Sequence, residues 1–346
     1  MKTILPYLLS FVFSFLLNLI IIPFLLKLAH KFNWYDEIDT RKIHMGKIPR
    51  IGGIGIAVSF FLPALIIPFL FSEPMGIFWS FFLGALIINL VGILDDFTNL
   101  RPLYKLTGQI AATLVVIFSG NYFTSFYIPF FNTTIESIFL GQAVTFIWII
   151  GVTNAINLID GMDGFSSSIT AVASFGMGLA AVISGNYTQA YILLILFGSI
   201  SGFFLYNLPP AKLFMGDSGS LFIGFILACM PLYAFQGNFS SFSLILGISF
   251  LLIPIYDTFS AIIRRRIRGV PFHSPDMDHL HHKLLTIGLS EKVIILITNT
   301  VTFAVSVTAL LFVIFNSALF IYVQLIAWAL VLILFLIISV KRQKHL

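Results

Sequence analysis

A chain of 346 residues that is 59% hydrophobic and only 10% charged, with a mean hydropathy of +1.03, is not a water-soluble globular domain. Its net charge of +5 is spread over loops between apolar runs, with no free basic patch, which argues against a nucleic-acid partner. Its single cysteine, Cys229, excludes an intramolecular disulfide.

Eleven apolar runs follow one another, at 4–26, 51–71, 77–94, 106–120, 138–153, 166–184, 190–208, 219–235, 243–263, 293–313 and 319–340. About 20 apolar residues cross a bilayer's hydrocarbon core as helix. The expected fold is therefore all-α: one polytopic membrane domain over residues 1–346, with about 11 transmembrane helices. The first run is too long and too uniformly apolar for a signal peptide and is expected to stay as a helix. The 106–120 run is short and could extend through the aromatic stretch 122–131. Of the 19 Lys and Arg, only Lys2 falls on one side of this topology. The positive-inside rule then puts the N-terminus outside and the C-terminus in the cytoplasm. Acids follow the same side, with only Glu73 and Glu136 opposite. That asymmetry is no part of the rule, and points to an active site in the cytoplasmic loops.

Five segments on that face carry candidate chemistry. The first inner loop offers Arg41, Lys42 and His44 to a phosphorylated ligand, with Gly52-Gly53 permitting close backbone approach; a headgroup anchor reads equally well. Asp95-Asp96 then closes the third run and Lys105 opens the fourth. Adjacent carboxylates at a membrane boundary need a cation, a metal or a substrate to offset them. Asn154, Asn157, Asp160 and Asp163 recur every three residues, so in a helix they share one face, with oxygens suited to a hard cation such as Mg²⁺. Gly216-Asp217-Ser218-Gly219 reads as a turn that brings Asp217 and backbone N–H groups to a phosphate or metal. The last segment runs from Asp257, inside the ninth run, through Arg264 and Arg266 to His279, His281 and His282. Beside four arginines these histidines suit phosphate better than zinc, which favours thiolates or wider His spacing.

Taken together and in this order, the five segments resemble the polyprenyl-phosphate N-acetylhexosamine-1-phosphate transferases. The resemblance runs from Arg41 to His282. Asp95-Asp96 matches the family's paired aspartates, Tyr104-Lys105-Leu106 its lysine segment, and Asn154 to Gly164 its Asn-rich aspartate motif. Gly216-Asp217-Ser218-Gly219 matches the loop whose Asp binds Mg²⁺. His279-Leu280-His281-His282 looks like the His-x-His-His signature of the UDP-GlcNAc branch. Asn99 and a count of eleven spans also favour that branch over the phospho-MurNAc-pentapeptide one.

The resemblance implies transfer of GlcNAc-1-phosphate from UDP-GlcNAc to undecaprenyl phosphate in the bacterial inner (cytoplasmic) membrane, with release of UMP. This is a first step of O-antigen, common antigen or teichoic acid assembly. It implies Mg²⁺ (Mn²⁺ as an alternative) on Asp217 and Asn157, and Asp95, Asp96, Asp160 and Asp163 as catalytic carboxylates. Substrate contacts are expected from Lys105, Arg41, Lys42, His44, Asn154, Arg264, Arg266, His279, His281 and His282. Membrane lipid surrounds the chain, and a homodimer is compatible with the family. UDP-MurNAc-pentapeptide and UDP-GalNAc are alternative donors. A metallohydrolase and a secondary transporter are the readings from other classes, the latter disfavoured because it would place ionisable groups at the bilayer midplane.

Overall fold

The structure, a computed structural model, describes residues 4–35, 48–70, 79–269 and 278–343. Among these residues the chain forms α1 (Leu5–Phe32), α2 (Gly52–Leu70), α3 (Trp79–Thr98), α4 (Pro102–Phe118), α5 (Ile138–Ile159), α6 (Phe165–Ile183) and α7 (Tyr187–Asn207). It continues with α8 (Gly216–Ala234), α9 (Ser243–Phe250), α10 (Leu252–Ile267), α11 (Leu280–Thr286), α12 (Glu291–Phe315) and α13 (Ala318–Gln343). In its described residues, each of the eleven apolar runs is helical. Eight described helices are long and apolar enough to cross a membrane, nine if a bent pair counts as one, and α2 and α4 are shorter. The protein is a multi-pass membrane protein.

The bundle is organised around α8. Every residue of α8 is buried, whereas large apolar side chains of α1 and α13 such as Ile20, Phe24, Leu330 and Leu336 face outward, as a lipid surround requires. Small residues let α8 be central: with Gly219, Ser220, Gly224 and Ala228 on its surface, α3, α5 and α2 approach it closely. A second, smaller apolar cluster, including Phe165, Leu280, Leu284 and Phe335, lies under α11.

Three details differ from the sequence-based expectations. The run 243–263 is not one straight span: the segments Gly237–Phe250 and Leu252–Ile267 meet at 77°. Pro254 sits at the third residue of α10, where it has no N–H to give the Phe250 carbonyl and its ring clashes there, so the helix cannot run through. The stretch after α4 does not extend that helix. Gly120 turns with φ +88°, and residues 125–136 form an antiparallel hairpin, β1 (Ser125–Ile128) with β2 (Thr133–Glu136), pairing Ser125 with Glu136 and Ile128 with Thr133. Among the described residues the regular structure is thus helical apart from that hairpin. Finally, α5 stops at Ile159, so Asn154 to Asp163 do not share one helical face.

Candidate active site

The turn between α3 and α4 follows from its residues. Asn99 takes φ +48° and its N–H caps back to the Asp95 carbonyl at 2.8 Å, which ends α3 just beyond the paired aspartates. Pro102 then opens α4, a position that needs no N–H donor. The chain reverses within four residues and sets Lys105 opposite Asp95. Lys105 Nζ lies 3.2 Å from Asp95 Oδ2 and 2.9 Å from Asp217 Oδ2, so one half-buried lysine joins two helices' carboxylates.

Asp217 comes from the first turn of α8, which Gly216 enters with φ +71°. Asp96 receives that turn: its Oδ1 accepts the Asp217 N–H at 2.7 Å, and its Oδ2 accepts the Ser218 N–H at 3.0 Å and the Ser218 hydroxyl. A helix's first N–H groups have no partner within the helix, and negative charge is favoured there. Asp96 thus holds the α8 terminus, while Asp95 and Asp217 face Lys105.

The segment before α2 completes this side. Gly52 N–H and Gly53 N–H donate to the carbonyls of Phe214 and Met215 at 3.0 and 2.8 Å. A Cβ on Gly53 would overlap the backbone of Ser218 and Gly219. The glycine pair therefore allows close approach, but to the α8 turn of the chain itself and not to a ligand as expected. The same pairing delivers Arg50, whose Nη2 stands 3.5 Å from Asp217 Oδ1. Arg50 was not among the expected site residues. Its place beside Gly52-Gly53 was the available signal.

The Asn-rich segment divides its duties. Asn157 Nδ2 donates to Ser220 Oγ at 2.8 Å, one turn beyond Asp217, which leaves its carbonyl oxygen without a partner among the described residues. Asn154 exchanges amide hydrogen bonds with Gln109 of α4 at 2.6 and 3.3 Å and so braces α4 against α5. Asp160 caps the end of α5, half-buried. Loss of solvation, with the carboxylates of Asp217, Asp96 and Asp163 nearby, pushes it up to about 7 against the pull of Arg50. Asp163 turns away, and its Oδ2 accepts the Ala211 N–H at 2.8 Å. Asn207, which no sequence pattern marked, ties the same turn together by accepting from Gly164 N–H and Ser167 Oγ and donating to the Leu213 carbonyl.

The histidines border this cluster. His281 Nε2 would lie 3.0 Å from a Cβ on Gly161, the residue after Asp160. Its ring is 1% exposed and neither nitrogen has a partner among the described residues. Burial, aided by neighbouring His282, lowers it to about 3, so it is a neutral ring. His279 stacks parallel to it at 6.1 Å, and His282 lies 4.2 Å from it. Of the expected arginines, Arg264 is half-buried and Arg266 is exposed. Arg41, Lys42 and His44 lie outside the described residues.

No group of three or more His, Cys, Asp or Glu among the described residues is gathered as a metal cage. Mg²⁺ needs none, since it is commonly held by one or two carboxylates with waters and substrate phosphates. The Asp217 carboxylate and the open Asn157 oxygen, amid acids crowded enough to raise Asp160, fit that pattern.

Two acids linked by a lysine, a helix terminus held by a third, and a neutral histidine alongside form a candidate site in a multi-pass membrane protein. Residues 78–235 match the model of glycosyl transferase family 4. The chain is 33% identical over 328 residues to a Bacillus subtilis protein described as a probable undecaprenyl-phosphate N-acetylglucosaminyl 1-phosphate transferase, covering 92% of this chain and 90% of that one. It is 33% identical to the Mycobacterium leprae decaprenyl-phosphate N-acetylglucosaminephosphotransferase, over 74% of this chain and 71% of that one. A Thermotoga maritima undecaprenyl-phosphate alpha-N-acetylglucosaminyl 1-phosphate transferase is 32% identical, over 80% and 81%. The chain belongs to glycosyl transferase family 4.

Proposed function

We propose that the protein transfers GlcNAc-1-phosphate from UDP-GlcNAc to undecaprenyl phosphate, giving undecaprenyl-diphosphate-GlcNAc and UMP. The observation that carries this reading is the convergence of Arg50, Asp95, Lys105, Asp160 and Asp217 at one end of the helix bundle, where a nucleotide from water can meet a lipid phosphate. The names of the relatives support the transferred GlcNAc-1-phosphate and the polyprenyl-phosphate acceptor. In this reading the chain spans the bacterial inner membrane eleven times with the N-terminus outside, and the one-sided distribution of Lys and Arg supports an orientation with that end in the cytoplasm.

In this reading a lipid-phosphate oxygen attacks the β-phosphorus of the donor. A new P–O–P linkage forms, and the bond from that phosphorus to the bridging oxygen breaks, the oxygen leaving with UMP. A phosphomonoester has its second pKa at about 6, so at neutral pH the nucleophile is largely deprotonated and no strong base is required. The catalytic demand is alignment and charge neutralisation. Lys105 and Arg50 supply positive charge beside Asp217, and the α8 terminus, fixed by Asp96, places that carboxylate. Asp217 and the Asn157 oxygen would hold Mg²⁺, which when bound neutralises charge on the donor diphosphate.

Purified protein in detergent, given labelled UDP-GlcNAc, undecaprenyl phosphate and Mg²⁺, should form a labelled lipid and UMP. Parallel arms with UDP-MurNAc-pentapeptide and UDP-GalNAc test the donor. Product from either of those alone would replace the assignment of sugar, and no lipid-linked product from any donor would overturn the function.

A further inference from the structure

Asp257 has no part in the chemistry above, yet it is 2% exposed in α10 and makes two specific contacts. Its Oδ2 lies 2.8 Å from His279 Nδ1, and its Oδ1 accepts the Leu280 N–H at 2.8 Å. One carboxylate from one helix thus grips two successive residues at the start of another. A structural cap for α11 would need the second contact alone. His279, at the N-cap of that helix, offers no side-chain hydrogen bond to it, so Asp257 supplies the cap from outside. The other oxygen does something a cap does not require: it accepts from a ring nitrogen and so decides which nitrogen carries the proton.

We infer that Asp257 is a positioning residue that holds His279 with its Nδ1–H donated to the carboxylate and its Nε2 lone pair left to accept a hydrogen bond from the substrates. The inference rests on the proposed transferase reading. A carboxylate acceptor admits only a protonated Nδ1. Nε2, which has no partner among the described residues, is then the nitrogen left for a ligand. His281, parallel at 6.1 Å and without a carboxylate contact, cannot act in that way. The two rings share a stack but differ in support: Asp257 fixes the His279 tautomer, and His281 stands against Gly161.

The two oxygens allow the roles to be separated. In Asp257→Asn the amide oxygen can keep the Leu280 N–H, while its NH₂ faces Nδ1 and can only donate. The His279 proton must then move to Nε2, as when an amide replaces the aspartate behind a catalytic histidine. Histidine-labelled protein in micelles, with the His279 signals assigned by their loss in His279→Gln, reports the ring state by nitrogen NMR. Wild type should show Nδ1 protonated, and Asp257→Asn should show the Nε2–H tautomer at a near wild-type melting point. With that change kcat should fall roughly 10–100-fold, as for carboxylates that orient functional histidines elsewhere, with little change in KM for the lipid. Wild-type His279 lacking a proton on Nδ1 overturns the inference without any variant. So does Asp257→Asn that shifts the tautomer and turns over at the wild-type rate, or loses activity with the tautomer unmoved. Wild type inactive on every donor would instead condemn the transferase reading and leave the ring assignment standing.

Discussion

Asp96→Asn tests whether the second aspartate of the pair holds a helix or does chemistry. The Asp96 carboxylate accepts three hydrogen bonds from the first turn of α8, one on Oδ1 and two on Oδ2. An asparagine there has one oxygen. In its better orientation it keeps the two Ser218 bonds and turns an NH₂ against the Asp217 N–H. That loses one charge-assisted hydrogen bond, worth about 1.5–3 kcal/mol. The negative charge at the helix N-terminus goes too, a further ~0.3–1 kcal/mol. The total of roughly 2–4 kcal/mol falls on the turn that carries Asp217, so stability and turnover should drop together. Asp95→Asn, which loses only one arm of the Lys105 bridge, should cost turnover with a smaller change in melting. Scanning fluorimetry in detergent, beside the lipid-product assay, separates them. A variant Asp96→Asn that melts with the wild type but is inactive would show that Asp96 acts on the substrates and not on α8.

Gly53→Ala should give protein that fails to accumulate or melts far below wild type, because its Cβ overlaps the Ser218 and Gly219 backbone; normal melting of that variant would refute the close approach. Asp160, pushed up to about 7, binds more protons folded than unfolded, so without ligands or divalent cations stability should decline as pH rises from about 4 through 7. Asp160→Asn should flatten that slope, and a slope that survives the substitution rules this carboxyl out as its source. Asp217→Asn should abolish turnover with little unfolding, and more than a tenth of wild-type activity at saturating Mg²⁺ would remove Asp217 from the proposed metal site. Stripped of lipid, the enzyme should not exchange labelled UMP into UDP-GlcNAc; exchange that persists, and disappears in Asp95→Asn, would mean a covalent intermediate.

The helices were legible because each is an apolar run bounded by polar residues, and a bilayer imposes that pattern strongly. The bend at Leu251 was less visible: Pro254 is one residue in an unbroken apolar run, and proline is tolerated in many membrane helices. The site's charged members were legible by the same logic, since a carboxylate at a membrane boundary stands out. What the sequence could not divide was their labour. Asp95 and Asp96 look alike as a pair, but a helix turns about 100° between neighbours, so one meets Lys105 and the other meets the α8 terminus. Asn154 and Asn157, three apart, likewise part company, one to Gln109 and one to Ser220. Arg50 and Asn207 were less legible because Arg50 meets Asp217, and Asn207 meets Gly164 and Ser167, all distant in sequence, and neither sits in a run of polar residues.

The division between Asp95 and Asp96 also bears on how the phosphoryl group moves. A carboxylate nucleophile needs a free lone pair, and three hydrogen bonds leave Asp96 poorly equipped for attack on phosphorus. Asp95 is the better placed of the two, yet it shares Lys105 with Asp217, and a cation at 3.2 Å lowers the nucleophilicity of the oxygen it binds. The same cation is an asset if the attacking oxygen comes from the lipid phosphate: it lies between two acids that fix its position and can draw a dianion toward the donor. Lys105 and Arg50 give this surface two cations among its carboxylates, and the neutral His281 adds an uncharged face against Gly161. Such a surface favours holding two phosphates in line over forming an aspartyl phosphate, and it places the pairing of substrates, not proton abstraction, at the centre of the proposed reaction.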